Sequence, residues 1–118
     1  MGTNYYLRMN ICKHCGRYDE YHIGKSSAGW KFIFQAYKFE EGESPSITTI
    51  NDWKALLFNE HYKIYDQYGE EWDANRFWDK VQAKELDPEN RSHVRWYGID
   101  GDDWIDGQGY DFSLRGFS

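Results

Sequence analysis

Residues 30–37 read WKFIFQAY, with Trp30, Phe32, Phe34 and Ala36 on one parity and Lys31, Ile33, Gln35 and Tyr37 on the other. Successive side chains of a strand point to opposite faces, so this alternation predicts a strand with one buried, aromatic face. The rest of the chain supplies a core of the same kind. Aromatic residues make up 19% of the 118 residues, with ten tyrosines and six tryptophans. Such side chains bury much area each but carry polar handles that need partners. Most are expected in the core, leaving some to line a stacking pocket or an interface.

The length fits one domain over 1–118, large enough to bury a core without a metal. Thr3–Leu7 (TNYYL) reads as a short strand. The residues 40–46 form a loop by composition, with Pro45 excluding a helix through it. Thr49 followed by Asp52 resembles a helix-start box, and Ile50, Trp53, Leu56 and Leu57 then recur at helical spacing, predicting a helix over about 50–60. KIYDQYGEEW reads as extended chain broken by a turn at Tyr68-Gly69. Asp73 is placed to cap a second helix, DANRFWDKVQAKEL, and HVRWYGI reads as a late strand. DGDDWIDGQGYDFS, with glycine turns between aromatics, reads as a hairpin or irregular β-arm. About two helices against a small antiparallel sheet make an α+β domain, with a zinc-knuckle-like turn near its N-terminus.

That turn is Cys12-Lys13-His14-Cys15-Gly16. Two thiolates at C-x-x-C spacing aim at one centre, and the glycine lets the chain reverse. Zinc is the expected cofactor, with Cys12, Cys15 and His22 as ligands; His14 lies inside the knuckle, where a side chain tends to point away, and His61, His93 or water remain open for the fourth position. Free structural thiols and a redox dithiol are the competing readings. The redox case needs a following helix that GRYDEYHIG does not suggest.

The next run, His22-Ile-Gly-Lys-Ser-Ser-Ala-Gly-Trp30, contains GKSS but departs from a phosphate loop: position 19 is Asp rather than Gly, and a strand rather than a helix follows. Small residues, two hydroxyls and a lysine still suit an anion. Lys25, Ser26 and Ser27 are therefore expected to hold phosphate, with Trp30, Tyr5 or Tyr6 stacking a base; a plain turn between strands is the alternative.

Net charge is −6 and unevenly divided, with six Lys/Arg against two Asp/Glu up to Lys38 and eight against eighteen after it. This balance argues against general nucleic-acid binding. It leaves room for a local anion site early in the chain and an acidic face later. On that face Asp100, Asp102, Asp103 and Asp106, with Trp104 and Tyr110 as aromatic anchors, are expected to dock a basic partner protein. The same aspartates lack the order of a calcium-binding EF-hand loop. The absence of long apolar runs and the C-x-x-C usage lead us to expect a reducing cytoplasm and no membrane partner.

TNYYL, C-x-x-CGR, HIGKSSAGW-x-F, the Asp52-Trp53 pair, Ile64-x-Asp66-x-Tyr68-Gly69 and Asp106-x-x-Gly109-x-x-Phe112-Ser113 together resemble a family of small proteins encoded by bacteriophages and prophages. The match spans most of the chain. It implies phage origin and action in the cytoplasm of the infected bacterium, but no established activity and no catalytic residues. On this basis the expected function is a non-enzymatic binding protein that antagonises a host defence system, by occupying a host protein or by sequestering a phosphate-containing nucleotide signal. A zinc-stapled structural or accessory phage protein is the alternative. A metal-assisted hydrolase is a third, with Asp19, Glu20 or His22 as its base.

Overall fold

A computed structural model describes residues 2–38, 46–97 and 102–114. In chain order these form β1 (Gly2–Met9), β2 (Asp19–Ser27), β3 (Ile33–Gln35), α1 (Ile50–Leu57), β4 (Lys63–Asp66), β5 (Glu71–Trp72), α2 (Ala74–Leu86), α3 (His93–Tyr97), β6 (Asp103–Ile105) and β7 (Asp111–Ser113). The fold is α+β. The strands make one seven-stranded sheet in the order β5-β4-β1-β2-β3-β7-β6. All neighbours are antiparallel except β3 and β7, so the sheet is mixed rather than purely antiparallel. No helix among the described residues is long and apolar enough to cross a membrane.

The hairpin β1–β2 is its spine. Gly2 pairs with Ser27 at one end and Met9 with Asp19 at the other. Alternation along β1 sends Tyr5, Leu7 and Met9 into a core shared with Phe32, Phe34, Trp53, Leu57, Phe77 and Val81. The aromatics interlock there: Tyr5 meets Phe77 at 5.1 Å between ring centroids, and Phe32 meets Phe34 at 4.6 Å. Gly24, opposite both Tyr5 and Phe34, is held to glycine by space, since a Cβ there would stand 2.2 Å from the Ile33 carbonyl oxygen.

Both long helices start where the local chemistry places them. The Thr49 side chain accepts from the Asp52 amide while the Asp52 carboxylate accepts from the Thr49 amide, a complete capping box. The Asp73 carboxylate accepts from the amides of Asn75 and Arg76. The β4–β5 turn falls at Gly69, whose φ of +84° favours glycine. Within the DGDDWIDGQGYDFS segment, residues 103–113 form the β6–β7 hairpin, and Asp100 and Gly101 lie outside the described residues.

Two elements differ from their sequence reading. HVRWYGI begins as a helix, α3, because Ser92 Oγ accepts from the Arg95 amide at 3.2 Å and the Asp111 carboxylate accepts from the His93 amide at 2.8 Å. These bonds satisfy early helical amides that a strand pattern does not anticipate. WKFIFQAY forms a ladder only over 33–35; Lys31 instead bonds through its amide to the Arg91 carbonyl, and Tyr37 bridges to Ile47. Phe32, Phe34 and Ala36 are buried as the alternation requires, but Gln35 is buried too. Its amide nitrogen donates to the Ser113 carbonyl at 3.1 Å, so it joins a polar layer on the sheet's second face.

Candidate functional site

The C-x-x-C turn lies at one end of the spine hairpin. The Cys12 amide donates to the Arg17 carbonyl at 2.7 Å and the Gly16 amide to the Cys12 carbonyl at 2.8 Å, with Gly16 at φ +75°. The Cys15 amide, then the Cys15 thiol and the His14 amide, aim at the Cys12 sulfur and hold its thiol below the usual value. His22 is not part of this arrangement. It sits on the sheet's second face, with Nε2 2.9 Å from Asn4 Oδ1, Nδ1 3.4 Å from Gln35 Oε1 and its ring against Tyr6. Burial there keeps its pKa below the ordinary value. Among the described residues no three of His, Cys, Asp and Glu come together to hold a metal. The turn thus offers two thiol ligands of the four that closed structural zinc takes.

The GKSS run is the end of β2, not an arc. Lys25 pairs with Asn4 and Ile33, Ser26 with Thr3, and Ser27 with Gly2. Strand amides alternate in direction, so the backbone N–H groups of Lys25, Ser26 and Ser27 do not all face one point. The turn comes one step later, where Gly29 takes φ +81° and the Trp30 amide donates to the Ser27 carbonyl at 3.2 Å. Of the aromatics expected to stack a base, Tyr5 is 1% exposed and belongs to the core. Tyr6 faces His22 on the second face.

What the turn does assemble was not visible in the sequence. Trp30 stacks on His93, centroids 4.6 Å apart and planes 16° apart. Lys84 reaches over from α2 and donates to the Ser27 carbonyl at 2.6 Å, and Lys31 lies 3.7 Å from Glu85. Beneath them Asp111, fully buried, accepts from Ser92 Oγ at 2.5 Å and from the His93 amide. Two buried polar atoms have no hydrogen-bond partner among the described residues, Glu85 Oε1 and His93 Nε2. Burial first, then the Asp111 charge, raise the Glu85 carboxyl to about 7, with Lys31 opposing. Burial likewise raises Asp111 and lowers His93 and Lys84. A set of groups displaced by shared desolvation marks a site where solvent is excluded and charge is at stake.

Glu85 gives a direct test of this picture. Its folded-state pKa lies above the ordinary 4.5, so the folded chain holds the proton more tightly than the unfolded one. The stabilisation is complete below about pH 4.5 and is lost as pH rises through about 7. Glu85→Gln keeps the shape and removes the titration. The variant is expected to match wild type in urea denaturation at pH 4.5 and to exceed it at pH 8. Equal wild-type and variant midpoints at both pH values would show that Glu85 is solvated in the folded state.

The acidic segment is organised inwards. Asp106 accepts from the amides of Ile50, Gln108 and Tyr110, pinning the start of α1 to the β6–β7 turn. Asp103 accepts from Ser113 Oγ, Trp104 Nε1 donates to the Thr48 carbonyl, and the Tyr110 hydroxyl meets Gln82. Asp102 is exposed; Asp100 lies outside the described residues. Trp104 and Tyr110 thus both spend their polar atoms on internal bonds; Trp104 is half-buried and Tyr110 only 9% exposed. No protein-family model matches this chain, and neither the curated proteins nor the solved structures include a significant match to it.

Proposed function

We propose that the protein is a non-enzymatic binding module for a phosphate-bearing, nucleotide-type ligand, held where Trp30, His93, Lys25, Lys31 and Lys84 meet. The observation that carries this reading is the Trp30–His93 stack at the sheet's end, ringed by lysines. A half-exposed indole offers a π-face to a base, and ammonium groups beside it suit phosphate oxygens. Ser26 and Ser27 sit at the rim, and their hydroxyls remain candidate phosphate contacts. The resemblance to phage proteins supports a role in sequestering a host signal nucleotide during infection. A host protein as target is the weaker version, because the acidic segment's aromatics are turned inward.

Native mass spectrometry of the purified protein, followed by calorimetric titration with AMP, ADP, cyclic di-AMP and inorganic phosphate, tests the reading. At least one nucleotide is expected to bind, weakened about tenfold or more by Trp30→Ala or Lys84→Met, corresponding to about 1.4 kcal/mol, and weakened further by added salt. The nucleotide should be recovered unchanged. Turnover would favour an enzyme in which Glu85, poised near neutrality, moves a proton. No binding to any probe, with Trp30→Ala indistinguishable from wild type, would overturn the assignment.

A further inference from the structure

We infer that Cys12 and Cys15 form half of a tetrahedral zinc site whose other half is the same two cysteines of a second copy, so that one zinc ion joins two chains tip to tip. The inference goes beyond the ligand site and is independent of it. The turn lies past the Met9–Asp19 pair, whereas Trp30 lies past the Gly2–Ser27 pair at the other end of the same hairpin. Eight residue steps of strand separate these ends, roughly 25 Å.

The geometry first favours metal over a solvated thiol pair. The turn is closed at both Cys12 and Gly16 by backbone bonds of 2.7 and 2.8 Å, so both thiols ride on one preorganised loop. The ligand count then favours a partner. A closed zinc site takes four ligands, the turn supplies two, and no third ligating group joins them among the described residues. His61 lines a hollow with Asn10, Ile11 and Lys13 in the same chain, and its Nε2 lies beside Glu60 at 3.8 Å.

Access and symmetry favour a second copy. Every residue from 10 to 18 except the half-buried Cys12 is exposed, so the tip is free to meet another tip. A tetrahedron has a twofold axis through the metal that exchanges one ligand pair with the other, which is the symmetry of the commonest homodimers. Two of the exposed large hydrophobics, Ile11 and Tyr18, flank the cysteines and would be covered by such contact. Four thiolates around Zn²⁺ leave a charge of −2, and Lys13 and Arg17 of each copy stand beside it.

Metal-free protein titrated with zinc, with molar mass read by light scattering and native mass spectrometry, is expected to double in mass as zinc reaches one ion per two chains. Cobalt as the probe should give thiolate-to-cobalt charge transfer and tetrahedral d–d bands that saturate at the same ratio. Cys12→Ser and Cys15→Ser should each remain monomeric with unchanged far-UV circular dichroism, because the tip contributes nothing to the core. Saturation at one metal per chain in a monomer would overturn the proposal in favour of a ligand such as His61. So would failure to take up either metal, or a dimer that survives chelator and both cysteine variants. Nucleotide binding by Cys12→Ser should equal wild type, which keeps the two tests separate.

Discussion

Trp53→Ala is expected to lower the unfolding free energy by about 3–5 kcal/mol, a large part of the roughly 5–15 kcal/mol that holds a domain together. Trp53 is fully buried on α1, and its Nε1 donates to the Gln35 carbonyl at 2.9 Å, tying the helix to the middle of the sheet. Its ring also meets Tyr37 edge-on at 6.2 Å. Truncation leaves a void in close-packed surroundings and an unpaired buried carbonyl. Trp53→Phe separates the two losses: most of the volume stays, the donor goes, and about 1–2 kcal/mol should be lost. Urea denaturation followed by circular dichroism measures both. A loss below about 1 kcal/mol for the alanine variant would mean that α1 does not seat on the sheet through this residue.

Asp111→Ala should cost about 2–4 kcal/mol, since the carboxylate satisfies the Ser92 hydroxyl and the His93 amide in a place with no access to water. Asp111→Asn is expected to be far milder. Its carbonyl oxygen still accepts from the His93 amide, while Ser92 can turn its hydroxyl to accept from the new amide nitrogen. The charge itself is costly there, because burial raises the Asp111 pKa and its proximity helps raise that of Glu85. Asp111→Asn should therefore also lower the Glu85 pKa, narrowing the pH range over which wild type loses stability. A substitution to Asn as damaging as that to Ala would show that the negative charge, rather than the hydrogen-bond pattern, positions α3.

Where a structural decision is made within a few residues, the sequence announced it. Thr49 and Asp52 carry both halves of a capping box three positions apart, and Asp73 caps α2 through amides two and three residues on. Gly69 and Gly109 mark tight turns because φ near +84° and +91° favours a residue without a Cβ. The burial of Phe32, Phe34 and Ala36 follows from alternation, whichever strands flank them. The C-x-x-C turn is equally local, which is why its closed form was expected from spacing.

The candidate site obeys a different logic. Trp30 and His93 are 63 positions apart, Lys84 reaches a carbonyl 57 positions away, and Asp111 holds a serine 19 positions back. No window of sequence contains both members of such a pair, so neither periodicity nor motif spacing could bring them together. The same cause turned His22 from an expected zinc ligand into a partner of Asn4 and Gln35. It also turned Trp104 and Asp106 from surface anchors into bonds to Thr48 and Ile50. A polar side chain takes whichever donor or acceptor the closed sheet sets beside it, and burial then makes that bond costly to give up. The sequence by itself determined the two longer helices, the glycine turns, the aromatic core face and the thiol pair, because each is settled by neighbours along the chain. Only the tertiary structure decided which charges share the dry end of the sheet, because that depends on distant segments closing over one another.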